Sequence, residues 1–196
     1  MRDFSILALD TGLRVGEALA LQWNDVHLEP VNGGKLGYLQ VREGKLRNAR
    51  RNPSLTSRVR FMLETRHATF QSSEVFTARG GIRPLSIFTL EAQHARRRRD
   101  LRLPADFVLH SLRHTFGTRL GESGADAFTI MRRLGHSTVT VSQRYVHPTP
   151  ESLERAFGRL ELMNQRETLA LTGESTRVAV PAISTAATNA AAGVAS

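Results

Sequence analysis

The chain is 196 residues long, enough for one domain with a real core, and its 27 lysines and arginines against 18 acidic residues give a formal net charge of +9. That balance points first to a polyanionic partner, while a ribosomal protein or a membrane-surface binder would share it. With no cysteine, disulfides and thiolate metal sites are excluded. No apolar run is long enough for a bilayer, and no signal segment opens the chain, so a soluble, cytoplasmic protein with no membrane partner is expected.

Phe4, Ile6, Leu7 and Leu9 predict a short first helix, ended by Gly12 in a conformation of positive φ. A second helix is expected from about Arg14 to Leu21, with Val15, Ala18, Leu19 and Leu21 toward the core. Arg14 then falls at a helix start, and Glu17, one turn on, is the carboxylate to orient it. An exposed arginine at a helix end is the plain alternative.

From Trp23 to Leu55 the pattern turns to strands. The stretches DVHLEP, KLGYLQVR and RRNPSLT are bounded by Asn-Gly-Gly and Glu-Gly and predict a small three-stranded antiparallel sheet in a mainly helical α+β fold. Lys45 falls at the tip of the second turn. Arg42, Arg47, Arg50 and Arg51 surround it, with Arg58 and Arg60 beyond and only Glu43 opposing. This hairpin is expected to meet a duplex backbone, a solvated basic loop being the alternative.

Thr56 is expected to cap a helix from Ser57 to about Ala68, whose apolar face is read as Val59, Phe61, Met62 and Leu63. Another helix follows from about Ser86 to Asp100 and ends in four arginines, 96–99. Because consecutive residues circle a helix, these cannot all face one phosphate; Arg97 is taken as a DNA contact.

The stretch 108–147, VLHSLRHTFGTRLGESGADAFTIMRRLGHSTVTVSQRYVH, carries most of the chemistry. His110, Arg113 and His114 share one helical face, with Leu112, Phe116 and Leu120 opposite them. Gly124 ends that helix, Asp126 caps the next, Gly135 breaks it before His136, and Ser137 starts a helix that delivers Tyr145. Two histidines four apart also suit a metal, but no HExxH pattern is present and Arg113 between them would repel a divalent cation, so none is expected.

A phosphodiester attacked by an oxygen gathers negative charge on its non-bridging oxygens. Its catalyst needs fixed multi-donor cations, a nucleophile, and a proton for the leaving alkoxide. Arg14 and Arg113 suit the first task, because a guanidinium stays charged and binds phosphate oxygens with a planar fork. His136 can donate a further hydrogen bond. Tyr145 can attack once nearby cations lower its pKa from ~10 and an imidazole such as His110 takes its proton. His114 is read as a packing or hydrogen-bonding residue, and Tyr38 as a strand residue.

Taken together and in order, Arg14 in TGLR, Lys45 in GK, His110 and Arg113 in HSLRH, His136 in LGH and Tyr145 in RYVH resemble the tyrosine recombinase (phage integrase) family. The resemblance implies a 3′-phosphotyrosine intermediate on double-stranded DNA, a 5′ hydroxyl leaving group protonated by Lys45, and no metal or cofactor. It departs at RNPSL, where the family has an apolar-Pro-Leu strand, and at the front. There, the family's N-terminal clamp domain and the first helix of its catalytic domain are expected to be absent. The expected organisation is a catalytic domain over 1–166 and a flexible Ala/Ser/Thr-rich tail over 167–196. The last helix of the catalytic part has Leu153, Ala156, Phe157, Leu160 and Met163 or Asn164 in a stripe; it could pack within the chain, while the resemblance implies that it joins protomers of a homo-oligomer on DNA. A silent remnant that only occupies DNA and a topoisomerase are the alternatives to a recombinase.

Overall fold

The first helix, α1 (Arg2–Thr11), forms because Phe4, Leu7, Ala8 and Thr11 recur at helical spacing and make one buried face. It ends at Gly12, whose φ of 64° is left-handed; a Cβ there would also fall 2.4 Å from the Phe116 ring. The computed structural model describes residues 1–30, 35–42, 50–79, 81, 83–147 and 149–172, in two units, Met1–Pro148 and Thr149–Ser196.

In the first unit α2 (Val15–Leu19) is one turn long, and stops short of Leu21 because the chain swings into a 3-10 turn over Trp23–Asp25. A two-stranded antiparallel sheet follows, β1 (Val26–His27) with β2 (Tyr38–Leu39), Val26 opposite Leu39 and His27 opposite Tyr38. The expected third strand is not a strand. Its residues make isolated bridges, Tyr38 with Ser54 and Val41 with Arg51, and its carbonyls at Pro53 and Arg51 accept from the amides of Leu39 and Val41. Pro53 has no N–H to return, which breaks the ladder. Lys45 and Arg47, and the turn expected to carry Lys45, lie outside the described residues.

Helix α3 (Ser57–Thr69) starts where Thr56 Oγ1 accepts from the Val59 amide. Val59, Met62 and Leu63 face the core, but Phe61 does not; it is 72% exposed, a correction that follows from its position on the other side of the turn. Ser86 caps α4 (Ile87–Asp100) in the same way through Thr89. Helices α5 (Leu109–Glu122) and α6 (Ala127–Leu134) follow, the latter begun by Asp126 accepting from the amides of Phe128 and Thr129 and ended by a left-handed Gly135. The expected helix from Ser137 is the single turn α7 (Thr140–Gln143), and Tyr145 lies just past its end.

A main core joins α1, α2, α3 and α4 around Phe4, Leu7, Leu63 and Leu90, each at most 1% exposed and each contributing on the order of 2 kcal/mol by burial. Helix α1 also packs on α5, which positions the site between them. A second, smaller cluster holds Ile130, Leu134 and Tyr145, with Phe116 and Leu120 against it.

The second unit is helix α8 (Pro150–Thr172), whose first turn is closed by the Ser152 amide donating to Thr149 Oγ1 at 3.2 Å. Leu153, Phe157 and Leu160 recur along it at four- and three-residue spacing. Residues 173–196, most of the expected tail, lie outside the described residues. No helix among the described residues is long and apolar enough to cross a membrane.

Candidate active site

The carbonyls that a helix leaves unpaired at its C-terminus carry partial negative charge, and a nearby cation can satisfy them. Arg113, on α5, donates from Nη1 to the Gly12 carbonyl at the end of α1 and from Nη2 to the Leu134 carbonyl at the end of α6. Arg14 donates from Nη2 to the Gly135 carbonyl at 2.8 Å. The two left-handed glycines therefore do more than end helices: they turn carbonyls toward two guanidiniums brought from distant parts of the chain.

Glu17 organises the rest of the charge. It accepts from Arg14 through the backbone amide at 2.7 Å and Nη1 at 2.8 Å, as expected, and also from Arg51 through Nη1 at 2.9 Å and Nη2 at 2.7 Å. Burial opposes ionisation of this carboxyl, but the arginine hydrogen bonds and charges outweigh it and hold its pKa down at about 2. Arg51 also donates from Nε to the Arg133 carbonyl at 2.9 Å, and its side chain is only 7% exposed. A DNA-facing role was expected for Arg51; the structure instead commits it to this internal pair.

Arg113 is 4% exposed and its hydrogen bonds go to neutral carbonyls, with no ion pair to a carboxylate among the described residues. Burial, then repulsion from Arg14 and Arg51, lowers its pKa to about 10, which leaves it charged at neutral pH. A buried guanidinium near two others, with Glu17 acting on it only at a distance and no carboxylate paired to it among the described residues, is a strong attractor for an anion.

The histidines are divided by their partners. His136 Nδ1 is 2.8 Å from the buried Ser142 hydroxyl, a partner that sequence reading missed because nothing local marks it. Burial first, then Arg113 and Arg14, lowers the His136 pKa to about 4, so the ring is neutral at physiological pH. His114 Nδ1 is 2.7 Å from Tyr145 Oη. His110 is exposed, with its ring edge-on to His114 at 4.8 Å, and no hydrogen bond joins it to Tyr145 among the described residues.

Tyr145 is 7% exposed and parallel to the His136 ring at 6.3 Å. Its pKa is raised rather than lowered: burial outweighs the opposing charges of Arg144 and Arg113, so the cations alone do not ionise it. Arg14, Arg113, His136 and Tyr145 thus meet in one place, with His110 behind His114. Of the expected DNA contacts, Arg42 is 55% exposed and paired with Asp25, Arg50 is exposed, and Arg97 is 65% exposed and 3.7 Å from Asp100. A cavity of about 340 Å³ next to Arg51 is lined by Arg132, Arg133, Thr129, Asn52 and Pro53.

Several known proteins resemble the chain. It is 34% identical over 159 residues to the tyrosine recombinase XerC of Nitrobacter winogradskyi, covering 78% of this chain and 47% of that protein. It is 32% identical over 173 residues to the tyrosine recombinase XerD of Corynebacterium glutamicum, covering 80% and 52%. The chain thus spans about half the length of these relatives. Its fold matches the Tn1549 transposon integrase, solved in complex with circular intermediate DNA, with a TM-score of 0.66 over 81% of this chain and 59% of that one at 21% identity. It also matches the XerA recombinase, with a TM-score of 0.60 over 78% and 54% at 24% identity. The phage integrase family model matches residues 2–152, from the first helix through the tyrosine, and the chain belongs to that family.

Proposed function

We propose that the chain is the catalytic part of a site-specific DNA recombinase that cleaves and rejoins strands through a 3′-phosphotyrosine intermediate. The observation that carries this reading is the buried Arg113, which makes no ion pair with a carboxylate among the described residues and lies within electrostatic reach of Arg14 and Tyr145. A scissile phosphate supplies the missing negative charge. Arg113 keeps three of its five N–H donors after its carbonyl bonds, enough to bind the phosphate oxygens as charge builds on them.

His136 is neutral, and with Nδ1 turned to Ser142 its Nε2 is left to donate to the same oxygens. Tyr145 is the nucleophile. Lys45, which the family resemblance assigns as general acid, protonates the 5′ oxygen as it leaves. Arg42, Arg50 and Arg97 hold duplex backbone, and the cavity lined by Arg132 and Arg133 adds a second basic strip for it. Helix α8, with its apolar spacing, joins copies of the chain on DNA. The DNA complexes among the similar structures, and the recombinases among the relatives, support this reading.

A nicked duplex built from the sequence flanking the gene, incubated with wild type and with Tyr145→Phe and run on a denaturing gel, tests it. A covalent adduct in wild type that vanishes in the variant is expected. No adduct, with salt-sensitive DNA binding retained, overturns it in favour of a chain that only occupies DNA.

A further inference from the structure

We propose that Ser142 is a positioning residue for strand cleavage: its hydroxyl holds His136 with the ring hydrogen on Nε2, so the segment that carries the nucleophile also equips the imidazole that meets the phosphate. This rests on the reading of Tyr145 as nucleophile and His136 as phosphate donor. Ser142 lies in α7, three residues before Tyr145, and is fully buried. Its Oγ is 2.8 Å from His136 Nδ1. That hydroxyl makes no other hydrogen bond among the described residues.

The direction of this hydrogen bond follows from what each group would lose. A neutral imidazole has one N–H and one lone-pair nitrogen, and a hydroxyl has one hydrogen to give. If Nδ1 carried the hydrogen and donated it, the buried Ser142 hydrogen would be left with no acceptor, at its full desolvation cost. If the hydroxyl donates instead, both groups are satisfied. Nδ1 then holds the lone pair and the ring hydrogen goes to Nε2, which makes no hydrogen bond among the described residues and is not closed off from solvent. Protonating both nitrogens would break this arrangement. Burial, with the charges of Arg113, Arg14, Arg144 and Arg51, prevents that by holding the ring pKa down at about 4.

The same serine holds the nucleophile through its backbone. Its carbonyl accepts from the Tyr145 amide at 3.1 Å, and its own amide donates to the Val139 carbonyl at 2.8 Å, so side chain and backbone are fixed in one turn. His136 arrives by another route. It follows the left-handed Gly135 that ends α6, with its amide donating to the Met131 carbonyl at 3.0 Å. The Ser142 hydroxyl bridges these two segments, and the imidazole lies nearly parallel to the phenol, 17° between the rings and 6.3 Å between their centres. A tyrosine that leaves its seat takes this hydroxyl with it, and His136 loses the group that fixes its hydrogen and its orientation. The phosphate donor is thus ordered only while the nucleophile is seated.

The test measures single-turnover adduct formation on the covalent-trapping gel for wild type, Ser142→Ala, His136→Ala and the double variant, with Tyr145→Phe as the blank and duplex affinity measured beside it. His136→Ala is expected to cleave ~10²-fold more slowly, as for loss of one preorganised donor. Ser142→Ala is expected to cleave ~10-fold more slowly at unchanged affinity, the effect of one lost hydrogen bond. The double variant is expected to match His136→Ala within about twofold, because a residue that acts through the imidazole then has nothing left to position. A Ser142→Ala rate near wild type, or losses that multiply in the double variant as an independent packing role would give, overturns the assignment while leaving Tyr145 as nucleophile. An adduct that survives Tyr145→Phe, or none in wild type, overturns the reading beneath it as well. If Ser142→Ala does not fold, nitrogen NMR of the wild-type protein decides the matter. His136 is expected to show the neutral Nε2–H form at pH 7, and the Nδ1–H form, or an average of the two, overturns the proposal.

Discussion

Glu17 and Arg51 form a bidentate ion pair, both carboxylate oxygens within 2.9 Å of the two Nη atoms, with the side chains 8% and 7% exposed. The pair ties the segment from residue 50 onward to the helix that Arg14 begins. Since Arg51 also donates to the Arg133 carbonyl, three parts of the chain are joined at one guanidinium.

Glu17→Gln is therefore expected to cost about 3 kcal/mol of stability at pH 7, the range for breaking a buried pair and leaving one charge behind. The sign follows from linkage. The folded pKa of about 2 lies below the ordinary value of 4.5, so the stabilisation is present above pH 4.5 and is lost as pH falls toward 2. Urea unfolding of wild type and variant at several pH values checks this, and the two curves are expected to converge in acid.

Gly117→Ala places a methyl group against the Tyr145 ring. The fold is expected to survive at a cost of ~1–3 kcal/mol, while adduct formation falls more than stability does, because the hydroxyl leaves its partner. Gly121→Ala, which meets a backbone carbonyl instead of a ring, is expected to lower Tm further. Thermal unfolding and the trapping gel on the same preparations separate the two effects.

Arg113→Lys keeps a positive charge but cannot reach the Gly12 and Leu134 carbonyls and a phosphate together. Cleavage is expected to fall by ~10²-fold or more, as for loss of one preorganised donor, with DNA affinity changed far less. Single-turnover adduct formation and equilibrium binding, measured side by side, would expose the opposite pattern.

Arg132→Gln removes one cation from the cavity beside Arg51. Binding to duplex DNA is expected to weaken evenly across sequences, with the slope of log affinity against log salt falling by about 1. An unchanged slope would mean that this strip does not touch backbone.

Local chemistry made much of the molecule legible from its sequence. Helix starts at Thr56, Ser86 and Asp126, and stops at Gly12 and Gly135, depend on side chains and φ angles within a few residues. The same holds for the pairing of Arg14 with Glu17 three residues on. The family motifs, too, are short and ordered along the chain. Tertiary structure decided the partners. Arg14 meets a carbonyl 121 positions away and Arg113 one 101 positions away, while Arg51 turns inward to a carboxylate 34 residues before it. Periodicity placed His110 and His114 on one face of a helix but could not say which of them a tyrosine 31 residues from His114 would touch. That choice, and the upward shift of the phenol pKa by burial, depends on how α7 returns its chain to the two glycines of α5, a relation between distant segments that no local pattern encodes.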